Sequence, residues 1–165
     1  MRFIIKRLMT FFFTAITVYQ VKRIGKNCRV NFPCHFTKNT IIGNNCHFNG
    51  MQVNGNGEVH FGNNFHSGKE CQIFTSYHNY DFGVAIPYDN TFIDKNVIIE
   101  DNVWLGTRVI ILGGISLGEG CVIQAGSVVV NNIPKCAIAG GAPAKIFKMR
   151  DIEHYEKLKS EKAFL

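Results

Sequence analysis

The sequence predicts an all-β fold, a parallel β-helix of six-residue repeats with a short helix at each end. The first observation is a ruler. From Ile93 an aliphatic residue recurs at every sixth position: Ile93, Ile99, Leu105, Ile111, Leu117, Ile123 and Val129. Four residues after each stands a small or branched one: Val97, Val103, Val109, Ile115, Cys121, Ser127 and Ile133. A helix repeats at about 3.6 residues and a hairpin meander turns every 8–12 or so, so a period of six marks coils of short parallel strands.

The second observation is that the ruler extends backwards. Ile24, Val30, Phe36, Ile42 and Phe48 keep one register; after a slip near Asn54-Gly55, Phe61, Ser67 and Ile73 keep another. At three hexapeptides per coil, residues 24–75 and 93–134 make roughly five coils. The third is the cysteines. Of the six, Cys28, Cys34, Cys46, Cys71 and Cys121 fall in the inward slot four residues after a ruler position, and Cys136 alone lies off it. That slot takes a small apolar side chain, which a free thiol supplies, and points to buried structural thiols in a reducing compartment. Cys34-His35 and Cys46-His47 are neighbours on a strand, so each pair faces opposite ways and cannot share one metal. His35, His47, His60 and His66 are read as corner residues.

Charge separates the chain into parts. There are 18 Lys+Arg against 12 Asp+Glu, a net of +6. Arg2, Lys6, Arg7, Lys22, Arg23 and Lys26 all lie in residues 1–26, which hold no acid. The body is therefore neutral and offers no electrostatic footprint for nucleic acid. Residues 8–21 (LMTFFFTAITVYQV) are largely apolar between basic flanks. They lack a small-residue cleavage site and are too short and too interrupted to span a bilayer. Two readings remain: a helix packing Phe11–Phe13 on the domain or on a partner subunit, or a basic aromatic helix lying on an anionic membrane face. The domain plan is residues 1–23 as this leader, 24–147 as the β-helix with an excursion at 76–92, and 148–165 as a C-terminal helix. In that last part Ile152, Tyr155 and Leu158 share one side, and Glu153 precedes Lys157 by one turn.

The ruler breaks between Ile73 and Ile93, where the sequence is aromatic and polar. Long excursions from rigid scaffolds concentrate function. His78 is the residue there whose ordinary pKa suits proton transfer near neutrality. Asp81, three residues on, is placed to orient or polarise it. Tyr77, Tyr80, Phe82 and Tyr88 offer flat faces suited to sugar rings. An exposed loop histidine can also be a plain solvated residue, and spacing alone does not decide between the two.

Tyr77-His78-Asn79-Tyr80-Asp81, Asn102-Val103-Trp104-Leu105-Gly106 and Gly140-Gly141-Ala142-Pro143-Ala144-Lys145, set on the hexapeptide ruler, resemble the hexapeptide-repeat acyltransferases. The likeness is to the branch of galactoside and maltose O-acetyltransferases, streptogramin acetyltransferases and surface-polysaccharide O-acetyltransferases, and covers residues 24–150. The resemblance implies a left-handed β-helix, a homotrimer with active sites between subunits, and acetyl-CoA as donor with no metal. It implies His78 as general base, with Asp81 beside it. Trp104, Thr107, Ala125, Lys145 and Lys148 would contact the cofactor. Tyr77, Asn79, Tyr80 and Tyr88 would meet the acceptor. Where relatives often read Val-Thr-Lys-Asp, this chain has Val129-Val130-Asn131-Asn132, which removes one expected cofactor contact. The function implied is acetyl transfer to a sugar hydroxyl in surface-polysaccharide biosynthesis, in the cytoplasm or at the inner face of the plasma membrane. N-acetylation of an amino-sugar nucleotide or an antibiotic is the alternative. A metal-dependent hydratase or a non-catalytic scaffold on the same fold is the reading from another class.

Overall fold

Stacked strands wind about a triangular core in this computed structural model, which describes residues 2–165. The coil runs through three faces in turn. The first stacks Arg23–Ile24, Thr40–Ile42, Val59–Phe61, Val97–Ile99 and Ser116–Leu117. The second stacks Arg29–Val30, His47–Asn49, His66–Lys69, Trp104–Leu105, Val122–Ile123 and Ala137–Gly141. The third stacks Gln52–Asn54, Gln72–Phe74, Ile110–Leu112 and Val128–Val129. All these pairings are parallel, and the architecture is a left-handed β-helix of hexapeptide repeats.

The solenoid has about six turns, one more than the repeat count suggests. Residues 133–141 close a further coil, joined by the Leu117–Ile133 bridge and by Ile123 pairing with Ala139. Small Ala137 and Ala139 fill the inward slots there, so an aliphatic ruler passes over them. Ile93 is corrected in the other direction. It lies half-buried in an antiparallel hairpin outside the coils, and the upper repeat begins at Val97. The register slip also falls earlier than Asn54: Val53, only five residues after Phe48, already points inward and is fully buried.

Both slots of the ruler face the core. Ile99, Leu105, Ile111, Leu117, Ile123 and Val129 are buried, as are Val97, Val103, Val109, Ile115, Cys121 and Ser127. The lower coils use aromatic rings instead. Phe36 meets Phe48 at 5.1 Å, Phe48 meets Phe61 at 5.1 Å, and Phe61 meets Phe65 at 4.8 Å, edge-on or tilted. Such contacts add to the area removed from water.

The corner between the first and second faces repeats one left-handed residue per coil: Asn27, Asn45, Asn64, Asn102, Gly120 and Cys136 all have positive φ. Asparagine accepts this conformation with a local side-chain bond. Here the amides form a ladder, Asn45 donating to Asn64 at 3.0 Å and Asn64 to Asn102 at 2.9 Å. Cys136, off the ruler in sequence, occupies this corner position and is buried.

Two helices flank the coils. The first, α1 (Arg2–Gln20), lies on the strand Arg29–Val30. The second, α2 (Ile152–Ser160), is shorter than the 148–165 expected, because Ala144–Met149 folds back as a strand antiparallel to Ala137–Gly141 and carries Lys148 with it. Asp151 caps α2 by accepting from the His154 amide at 2.9 Å. Tyr155 is buried and Leu158 half-buried, while Ile152 is exposed.

Candidate active site

The excursion is a two-stranded hairpin rather than an irregular loop. Ser76–His78 pairs antiparallel with Phe92–Asp94, His78 opposite Phe92 and Tyr77 opposite Ile93. It leaves from the third face and returns to the first, so it projects from the corner between them. Asp89 organises its tip, accepting from the Val84 amide at 2.9 Å and from the Thr91 amide and hydroxyl at 2.8 and 2.5 Å. Those bonds, the Thr91 hydroxyl first, hold its carboxyl below the usual carboxylate range. Sequence reading missed Asp89, although Asp-Asn-Thr carries the signature of an aspartate turn onto the amide two residues ahead.

His78 is half-buried, and its ring is sandwiched. Tyr88 stacks on it at 3.7 Å and 15°, and Phe92 lies tilted at 4.4 Å. Its Nδ1 is buried without a hydrogen-bond partner. Asp81 does not orient it: the carboxylate is exposed in the turn and makes no hydrogen bond or ion pair with the imidazole among the described residues. Packing by Tyr88 and Phe92 takes that place. Tyr88 therefore gives one ring face to His78, unlike the free sugar platform expected from sequence. Tyr77 is half-buried with Lys95 Nζ 5.4 Å from its ring and Tyr80 at 6.2 Å. Tyr80 is exposed, and Asn79 accepts from the Phe82 amide at 3.1 Å.

The residues assigned to a cofactor gather elsewhere. Trp104 stands outward and 56% exposed in the middle of the second face. Thr107 and Ala125 are exposed at the next corner, one coil apart, where Gly126 donates to the Thr107 carbonyl at 2.8 Å. Lys145 and Lys148 lie on the added strand at the end of the second face, opposite Gly140 and Ile138. A cavity of about 510 Å³ beside Trp104 is lined by His66, Asn102, Arg150, Tyr155 and Phe164 among others. In a triangular coil, the corner between the third and first faces lies across the prism from the second face. One chain therefore does not bring His78 to Trp104.

The outward side of the second face also corrects the reading of the histidines. His47 and His66 are strand residues, directly paired one coil apart with rings 4.3 Å apart, and His66 pairs in turn with Trp104. Residues 47 and 66 are 19 apart, one coil, which pairwise inspection of successive histidines passes over. Burial, then His66 and Arg29, push His47 down to about 4, and burial lowers His66 too. Among the described residues no group of three or more His, Cys, Asp or Glu is placed to hold a metal ion.

Comparison with known proteins agrees with the repeat. The family model for the hexapeptide repeat of succinyl-transferase matches residues 96–130. The galactoside O-acetyltransferase of Lactococcus lactis is 33% identical over 127 residues, covering 74% of this chain and 60% of that protein. A 2,3,4,5-tetrahydropyridine-2,6-dicarboxylate N-acetyltransferase of Clostridium perfringens is 45% identical over 60 residues, 36% of this chain and 25% of that one. The chain thus spans 60% or less of the length of these two curated relatives. Among solved structures, a hexapeptide-repeat acetyltransferase of Vibrio cholerae complexed with acetyl coenzyme A superposes with a TM-score of 0.74 at 28% identity, over 82% of this chain and 75% of that one. In its repeat and its fold the chain is thus similar to hexapeptide-repeat acetyltransferases.

Proposed function

We propose that this chain is an acetyl-CoA-dependent O-acetyltransferase acting on a sugar hydroxyl in surface-polysaccharide biosynthesis, working as a homotrimer. The observation that carries the reading is the hairpin that holds His78 between Tyr88 and Phe92 with Nδ1 sealed, in a chain whose likeness is to acetyltransferases. The placement of Trp104 across the prism supports a site shared between copies. Three such sites close in a cyclic trimer, where each copy gives a hairpin to one neighbour and a second face to the other.

The sealed Nδ1 leaves Nε2 as the nitrogen that meets an acceptor hydroxyl. Nε2 takes the hydroxyl proton as the oxygen attacks the thioester carbonyl of acetyl-CoA. The tetrahedral intermediate collapses with breakage of the C–S bond, and the imidazolium returns its proton to the departing thiolate. Stacking by Tyr88 and Phe92 fixes the ring plane before the acceptor arrives, a contribution of pre-organisation. Trp104 lines the cleft, with Thr107, Ala125, Lys145 and Lys148 along the donor; the two lysines supply positive charge for its phosphates.

N-acetylation is the second reading, favoured by the identity to the Clostridium enzyme. Both are tested by following free thiol release from acetyl-CoA with sugar hydroxyl and sugar amine acceptors. Release with hydroxyl sugars, lowered roughly 10²–10⁴-fold by His78→Ala, is the expected result. An unchanged rate in that variant overturns the assignment of His78.

A further inference from the structure

The helix α1 packs inside out. Its side toward the β-helix carries threonines. Thr17 is 1% exposed, Thr14 Oγ1 accepts from the Val30 amide at 3.1 Å, and Thr10 bonds Asn31 at 3.1 Å. The hydroxyls of Thr14 and Thr17 also donate to the helix's own carbonyls, at 2.7 and 3.0 Å. Its outer side carries Leu8, Phe11, Phe12, Ile16 and Tyr19, with Phe11 77% and Tyr19 78% exposed. Only Phe13 of the Phe11–Phe13 run packs on the core. Of the readings from sequence, packing of all three on the chain's own domain is thereby set aside.

At 100° per residue the exposed apolar positions from Ile4 to Tyr19 span an arc of about 180°. A seam with a protein partner uses an arc of about 100° and leaves polar residues on either side. An apolar surface covering half the helix suits immersion. Charge agrees: residues 1–26 carry six Lys+Arg and no acid. Lys22 is paired with Glu58 at 2.9 Å, and the segment as a whole stays strongly positive. No described helix is long and apolar enough to cross a membrane; a 19-residue helix with one apolar half has the form of an in-plane interfacial helix.

We propose that α1 is an in-plane anchor that seats the first coil of the β-helix on a surface of anionic phospholipid. Its rings and aliphatic chains enter the acyl boundary, and the flanking cations meet the headgroups. This inference stands apart from the acetyl-transfer reading and fails or holds without it.

The test is co-sedimentation of the full chain with vesicles of phosphatidylglycerol and phosphatidylcholine, against vesicles of phosphatidylcholine alone. The bound fraction should rise at least about tenfold with the anionic lipid and fall at high salt. The variant Leu8→Ser/Phe11→Ser/Phe12→Ser, altered only at exposed positions, should lose about tenfold or more in binding with an unchanged circular dichroism spectrum. Equal sedimentation of the wild-type chain with both vesicles overturns the proposal. So does a wild-type chain that ignores vesicles but forms larger assemblies lost in the variant, which would assign this face to a second copy.

Discussion

Burial in the coils, and for Cys28 a neighbouring thiol, shifts the titration of several thiols and imidazoles, with measurable consequences. Cys28 Sγ points to the Gly43 carbonyl at 3.2 Å. Its hydrogen bond with Cys46 lowers its pKa to about 7, while burial pushes Cys34 to about 11 and Cys121 to about 12. Since the thiolate is the nucleophile, a thiol reagent at neutral pH should label Cys28 well ahead of the other five. Equal labelling of Cys121 in the folded protein would contradict this. The His47–His66 pair gives a pH dependence. A histidine held below its ordinary value binds its proton more weakly when folded, so its contribution is intact above about pH 6.5 and is lost as the pH falls toward 4. The melting temperature should drop across that window, by an amount worth about 1 kcal/mol after solvent screening, and His47→Gln should flatten the drop. A profile unchanged by the substitution would place the acid sensitivity elsewhere.

At the scale of elements, α2 hangs from one polar knot. Tyr155 donates to Glu119 at 2.8 Å and accepts from Asn102 at 2.9 Å, which ties the helix to the end of the asparagine ladder. Burial raises Glu119, but the Lys159 and Tyr155 bonds outweigh it and hold the carboxyl below its usual range. Tyr155→Phe removes the hydroxyl that joins the half-buried Asn102 amide to Glu119, at a cost of about 1–2 kcal/mol readable by denaturant midpoint. The corners are equally unforgiving. A Cβ on Gly106 would lie 2.4 Å from the Ala125 amide nitrogen, so Gly106→Val forces two coils apart and should lower stability more than a surface change does.

These elements also show what residue order can and cannot convey. The period of six was legible because both slots, Ile99 and Val103 alike, must face one narrow core. The end coil was hidden because Ala137 and Ala139 satisfy the same slots without aliphatic bulk. The hairpin around His78 was marked by the break in the ruler, yet its ring-stacking partners were not, since Phe92 reaches His78 through antiparallel pairing and Tyr88 through the fold of the loop before it. The side on which α1 packs was undecidable from pattern, because threonines rather than phenylalanines turn inward.

For the whole molecule, the triangular section separates the parts of the proposed site. His78 projects from one corner while Trp104, Thr107, Ala125 and the two lysines line the opposite face and its edge. A site needing both must draw them from different copies. Hybrid assemblies test this most directly. His78→Ala and Trp104→Ala chains, each nearly inactive alone, are refolded together and assayed for thiol release from acetyl-CoA with a sugar acceptor. Random cyclic trimers should recover about a quarter of wild-type activity, since each site then needs its histidine from one variant and its tryptophan from the other. Activity that stays at the level of the separate variants would contradict a site shared between subunits.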